Sequence, residues 1–278
     1  MKFKSHVSEG GWDPAALFSD KGHFYCYQQK LTSLEDKILN LYRSTRGGGD
    51  NTPENIPKTI RGTFDCSVNR LTSLEGAPES VENDFICSHN KLTSLKGAAR
   101  KVGRDFNCSG NLLTSLEGAP DNVNSFNCSD NNLTSLKWAP SCTGYFLCNG
   151  NQLSSLEGAP TRLEKFFSCS SNKLTSLKWA PMKVRDYFTC QGNKITSLEG
   201  IGREYLTAIY GELLIDGNPI RSHILGICLI KGLEKIVTKG LSGRLKKAAD
   251  IMNNHLGADV IDCQHALIEA DLDEYAQL

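Results

Sequence analysis

Eight times between Phe24 and Leu198 the chain repeats Phe-x-Cys-x-x-Asn/Gln-x-Leu/Ile-x-Ser-Leu, and no other feature restricts its fold as tightly. After Cys66, the repeat cysteines Cys87, Cys108, Cys128, Cys148, Cys169 and Cys190 follow at steps of 20 or 21 residues, whereas Cys26 precedes Cys66 by 40. A period of this length describes stacked copies of one small unit, each unable to bury its apolar face alone. The long first step is a repeat carrying a 19-residue insertion, Asp36 to Glu54, placed by aligning Pro57 with Pro78. Within it, the stretch from Ile38 to Tyr42 has the length of one or two helical turns, and Gly47-Gly48-Gly49 predicts a flexible tip.

Read physically, one repeat is a coil. Phe and Cys, two residues apart, share one face of a short strand, and that face is the core. Three residues beyond each cysteine stands Asn, or Gln29 in the first copy, whose amide can bond backbone groups of adjacent coils where the chain leaves the strand. Leu at the fifth and eighth positions, as in Leu133 and Leu136, turns inward again. Gly-Ala-Pro or Trp-Ala-Pro closes the coil, and Val123 or Leu163 returns to the core on the far side. Cysteine here is a small apolar residue in a packing slot, so reduced thiols are expected and a disulfide framework is not.

The segment Pro120-x-x-Val123-x-x-Phe126-x-Cys128-Ser-x-Asn131-x-Leu133-x-x-Leu136 resembles the short bacterial class of leucine-rich repeats, with Phe and Cys in the two strand positions. The wording Phe-x-Cys-Ser-x-Asn-x-Leu-Thr-Ser-Leu-Glu-Gly-Ala-Pro also resembles repeat proteins encoded by large tailed bacteriophages. That resemblance implies an α/β solenoid, a leucine-rich-repeat horseshoe with short parallel strands on its concave face. It further implies a scaffold for binding another protein, with a bacterial host protein, such as a defence component, as the implied partner. Fold alone does not choose among the many functions such scaffolds serve.

Three parts are expected: an N-terminal cap over 1–22, a solenoid over 23–220 and a helical region over 221–278. Trp12, Leu17 and Phe18 are available to cover the first coil, and Asp13-Pro14 opens a short helix. Leu213-Leu-Ile215-Asp-Gly-Asn218 keeps the repeat spacing with Ile in the Cys slot and reads as a degenerate ninth repeat. From Ser222 the apolar residues Ile224, Leu225, Ile227, Cys228, Leu229, Leu233, Ile236 and Val237 fall at helical spacing. A second helix is expected from Gly243 to Leu256, capped by Ser242 and Gly257, and a third from Asp259.

Composition excludes several functions. The 31 basic and 31 acidic residues cancel, and no basic run is present to follow phosphates, so nucleic acid is not the expected partner. The first residues lack the apolar run of a signal peptide, and no stretch of 18 apolar residues could cross a bilayer, so a cytoplasmic protein without membrane contact is expected. No cofactor or metal is expected, because a linear stack of parallel thiols does not converge on a point as zinc ligands must. Cys263 and His265 are the nearest approach to a thiol–base pair, but a two-residue separation on a helix sends their side chains apart. The C-terminal region is also too short for the large cysteine-dependent ubiquitin-ligase domain that bacterial effectors with similar repeats carry. Catalysis is therefore not expected.

What varies between copies is surface. Strand residues alternating with Phe and Cys face the concave side: His23, Tyr25, Asp84, Asp105, Asn107 and Asn127, then Tyr145, Leu147, Phe166 and Tyr187 in the last three full repeats. Tyr27, Ser129 and Asp130, just beyond the cysteines, belong with them. Exposed aromatics on adjacent rungs are the most interface-like feature of the chain. A second column, from Glu75 through Lys96, Glu117, Lys137, Glu157 and Lys178 to Glu199, alternates in sign, so neighbouring coils can pair opposite charges along the stack; exposed pairs contribute roughly 0 to 1 kcal/mol each and read as register and solubility devices. Trp138 and Trp179, two coils and about 10 Å apart, form a possible secondary surface and are expected to pack over Gly158. An assembly component docking through the C-terminal helices, and an effector with weak thiol-dependent activity, are the alternatives to a binding scaffold.

Overall fold

The computed structural model describes residues 23–26, 28, 30–34 and 58–278. The expected N-terminal cap, the insertion at 36–54 and Tyr27 lie outside the described residues.

Ten strands of two or three residues stack in parallel into one long sheet, and each coil neighbours the next in chain order. They are Phe24–Tyr25, Phe64–Asp65, Phe85–Ile86, Asp105–Asn107, Ser125–Asn127, Phe146–Leu147, Phe167–Ser168, Phe188–Thr189, Glu212–Leu214 and Lys235–Ile236. The register sets like on like, Phe106 beside Phe126 and Phe146 beside Phe167, so the repeated letters become continuous columns. The eight phenylalanines of the repeat position are all buried, with neighbouring rings 5.1 to 5.8 Å apart. Burying such a ring contributes roughly 1.5–3 kcal/mol, and the stacked geometry adds to it. On the opposite side, short strand pairs turn Ile60, Val81, Val102, Val123, Cys142, Leu163, Val184 and Ile209 inward.

The asparagine column joins the coils. Asn131 accepts from the backbone N–H of Leu113 at 3.0 Å and donates to the carbonyls of Cys108 and Cys128, both at 3.1 Å. Asn69, Asn90, Asn111, Asn151, Asn172, Asn193 and Asn218 repeat the pattern. Each amide thus satisfies polar groups that a chain turning out of a two-residue strand would leave orphaned. The repeat thiols are buried and free, and several donate to the carbonyl of the next coil, as Cys128 does to Leu147 at 3.4 Å. Burial pushes every repeat thiol well above its ordinary pKa of 9.0.

Past the degenerate ninth coil, the structure departs from the sequence expectation. The apolar stretch from Ile224 is not a long helix: it forms a 3₁₀ turn, Leu225–Leu229, and then the strand Lys235–Ile236, which pairs with Glu212–Leu214. It is a tenth coil, with Ile236 beside Leu213 in the phenylalanine column. Helix α1, Gly243–Asn253, closes this end. Asn253 accepts from the N–H of Ile236 at 2.8 Å and donates to its carbonyl at 2.9 Å, so a side chain covers backbone groups of the last strand. Helix α2, Val260–Glu269, packs on α1 and on the Leu225–Leu229 turn. Asp259 caps α2 through the Ile261 N–H at 2.8 Å, whereas Ser242 stands at the head of α1 without a side-chain capping bond.

Candidate partner-binding face

The long sheet points its Phe and Cys side chains inward and presents the alternate positions outward. Tyr145, Phe166 and Tyr187 stand on three successive coils as one stack, with centroids 5.1 and 4.7 Å apart and planes 6° and 5° from parallel. All three rings are half-buried; Phe166 is covered on both faces by its neighbours, and Tyr145 and Tyr187 are each stacked on it from one side. Lys165 places its ammonium 5.8 Å from the Tyr145 centroid. Burial, with Asp105 and Asp84 adding to it, pushes the Tyr145 phenol up to about 12, so it stays a neutral donor at physiological pH.

A row of carboxylates adjoins this stack. Asp84 accepts from Thr63 Oγ1 at 3.4 Å and from the Asp105 backbone N–H at 3.2 Å, and Asp105 accepts from Asn124 Nδ2 at 2.8 Å. Among the described residues, no salt bridge neutralises Asp65, Asp84 or Asp105. Beyond them, His23 and Tyr25 stack at 5.6 Å, and His23 Nδ1 accepts from the Thr63 N–H at 2.9 Å. Burial, then Asp65 and Asp84, raise the Tyr25 phenol above its ordinary value. The face therefore runs from a His–Tyr pair, across acids, to a three-ring stack. Such rings are the side chains that anchor protein interfaces.

Most sequence-selected residues do share this surface: Tyr145, Leu147, Phe166, Tyr187, Asp84, Asp105, Asn107, Asn127, Asp130, His23 and Tyr25 are half-buried or exposed. Some are already engaged. Asn107 and Asn127 accept from the backbone N–H two residues on, at 3.0 Å each, and so hold the turn out of the strand. Ser129, expected to meet a partner, is instead buried, because the chain passes into a left-handed turn at Asp130 (φ 55°) directly after it. Ser125 is fully buried for a related reason: Gly144 brings the next coil close over its hydroxyl.

Two further expectations fail. The column from Glu75 to Glu199 forms no ion pairs among the described residues; the inter-coil pairs are Lys58–Glu79 and Arg185–Glu164, on the opposite side of the coil. Serine hydroxyls two residues earlier fix the backbone of that column, as Ser115 does at Glu117 and Ser135 at Lys137. Fully solvated pairs gain too little to order long side chains. Nor do Trp138 and Trp179 pack over Gly158: they are 57% and 55% exposed. Each lies instead beside its own lysine, Lys137 at 5.1 Å and Lys178 at 5.6 Å. Both tryptophans adopt φ of 71°, in a turn where other copies place glycine at 85° to 95°. A bulky residue there is strained.

Lys165 and Asn124 escaped the sequence reading. They occupy the position four before the cysteine, where Asn83, Arg104 and Asp186 also vary; a search confined to alternate strand positions passes over that column.

No family model matches the chain, and no curated protein matches it in sequence. Among solved structures it is similar to YopM from Yersinia enterocolitica WA-314, at 19% identity over 68% of this chain and 43% of that one, with a TM-score of 0.47. It is also similar to the functional domain of InlJ from Listeria monocytogenes, described as including a cysteine ladder, at 20% identity over 78% of this chain and 53% of that one, TM-score 0.44. The chain spans about half the length of these solved chains.

Proposed function

We propose that the chain is a cytoplasmic protein-binding scaffold that captures a partner protein on its long-sheet face, with Tyr145, Phe166 and Tyr187 as the anchor and the acidic row as the polar flank. The observation that carries this reading is the parallel stacking of three half-buried aromatic rings on adjacent rungs. Rings held by their neighbours lose little conformational freedom when a partner covers them, so more of the contact energy survives as affinity. The mechanism is occlusion of a partner surface, without bond-making chemistry. In its most specific form, the chain is a bacteriophage product that inhibits or redirects a host protein; the repeat wording supports this form.

Replacing Tyr145, Phe166 and Tyr187 together by Ala is expected to weaken capture of the partner from a bacterial lysate by more than about tenfold. The circular dichroism spectrum should stay that of the unaltered chain, because the core columns are untouched. Undiminished capture by the triple variant would move the site off this face.

A second reading, an assembly component docking through the C-terminal helices, draws on exposed Ile261 and Ile268 on α2. An undiminished triple variant that loses capture on Ile261→Ser and Ile268→Ser would favour it.

A further inference from the structure

Two of the eleven cysteines depart from the repeat pattern in what their sulfurs touch. Cys228 lies in the Leu225–Leu229 turn of the tenth coil and Cys263 in the first turns of α2, and their Sγ atoms are 3.2 Å apart. Repeat thiols behave otherwise: Cys108, Cys128 and Cys148 each donate to a backbone carbonyl of the next coil at 3.4 Å. Among the described residues, Cys228 and Cys263 alone bring two sulfurs into hydrogen-bond contact. The turn and the helix pack directly, so closing the remaining gap needs a small side-chain movement within an existing contact.

We propose that Cys228 and Cys263 form a two-electron redox site that hydrogen peroxide converts to a disulfide, fastening α2 to the terminal coil of the solenoid. The chemistry divides between the two sulfurs. Cys228 donates its S–H to Cys263, which holds the Cys263 thiol below its ordinary value with help from nearby His255, while the same contact and burial hold Cys228 protonated. Cys263 is therefore the nucleophile. Its thiolate attacks one peroxide oxygen, the O–O bond breaks, and hydroxide departs to become water; Cys263 is left as a sulfenic acid. Cys228 then attacks the Cys263 sulfur, the S–O bond breaks, and the departing hydroxide takes the Cys228 proton. Two thiols and one peroxide yield one disulfide and two waters. A small oxidant suits the site, since Cys263 is fully buried and Cys228 is only 9% exposed.

The placement gives the bond a consequence. Between Cys228 and Cys263 lie the last strand, Lys235–Ile236, and the whole of α1. A bridge would close this segment into a loop and restrict its unfolded state, and terminal coils are where a stacked array frays. Oxidation is thus expected to slow loss of the C-terminal cap, leaving the sheet face 24–189 unchanged.

The test uses the full chain, treated with excess hydrogen peroxide while folded, quenched, then denatured and alkylated. The expected result is a mass lower by about 2 Da before alkylation, two fewer alkylated thiols than in the untreated chain, and a linked peptide pair containing Cys228 and Cys263. Cys228→Ser, which keeps a hydroxyl donor to Cys263 but cannot form a disulfide, should abolish the link and leave Cys263 as a sulfenic acid trappable by dimedone. The proposal is overturned if all eleven thiols remain alkylatable, if the link joins repeat cysteines, or if it persists in Cys263→Ala.

Discussion

Raising the pH from 8 to about 10 is expected to unfold the solenoid, with the ellipticity of the sheet lost in a steep transition above pH 9. The cause is the column of buried thiols. Each repeat cysteine has a folded-state pKa well above its ordinary 9.0 because burial disfavours the thiolate. The folded chain therefore holds protons that the unfolded chain releases. The stability tied to each thiol is fully present below pH 9 and is lost as pH rises toward the folded value. One unit above 9, the loss is about 1.4 kcal/mol per thiol. Over eight repeat cysteines it reaches roughly 11 kcal/mol, which is as large as the stability of a typical domain. Tyr145, also raised, adds in the same direction. Circular dichroism and urea melts across pH 7 to 10.5 measure the effect. Replacing Cys87, Cys108 and Cys128 by Ala should lower the pH slope of stability by about three protons. A wild-type chain equally stable at pH 8 and 10.5 would contradict the burial of the column.

Asn131→Ala is expected to destabilise the chain by about 2–3 kcal/mol, below Phe126→Ala at about 3–5 kcal/mol. Removing the amide orphans the Leu113 N–H at the buried seam between coils and takes one of two amide donors from the carbonyls of Cys108 and Cys128, which keep Asn111 and Asn151. Each unsatisfied buried group costs about 1–3 kcal/mol. Asn127, four residues earlier and on the outer face, supports only the Ser129 N–H, and Asn127→Ala should cost about 1 kcal/mol. Urea denaturation of the three variants orders them; near-equal effects of Asn131→Ala and Asn127→Ala would remove the asparagine column from its role in joining coils.

The same contrast explains how much of the fold was legible in the sequence. Phe, Cys, Asn and Leu recur because each fills an identical slot in every coil, so strand register, core and amide column follow from the period. The tenth coil was not legible because it keeps the slots and changes the letters. Ile236 replaces Phe, the cap side chain Asn253 bonds the final strand, and the intervening apolar residues happen to fall at helical spacing. The aromatic stack was legible as three variable letters in one column. Burial of Ser129 and the solvated state of the Glu/Lys column were not, since both depend on how the turns after each strand bend. Such bends come from left-handed residues two beyond each cysteine, glycine at Gly110, Gly150 and Gly192 but Val68, His89, Asp130 and Ser171 in other copies, so the glycine signal marks only some of the coils.

Whether a partner meets the long-sheet face is measured by site-specific photocross-linking, with a photoreactive amino acid at Leu147, on the face that carries the aromatic stack, or at Glu157, on the solvated column of the same coil. A partner adduct is expected from position 147 and none from 157. An adduct from 157 with none from 147 would contradict docking on that face.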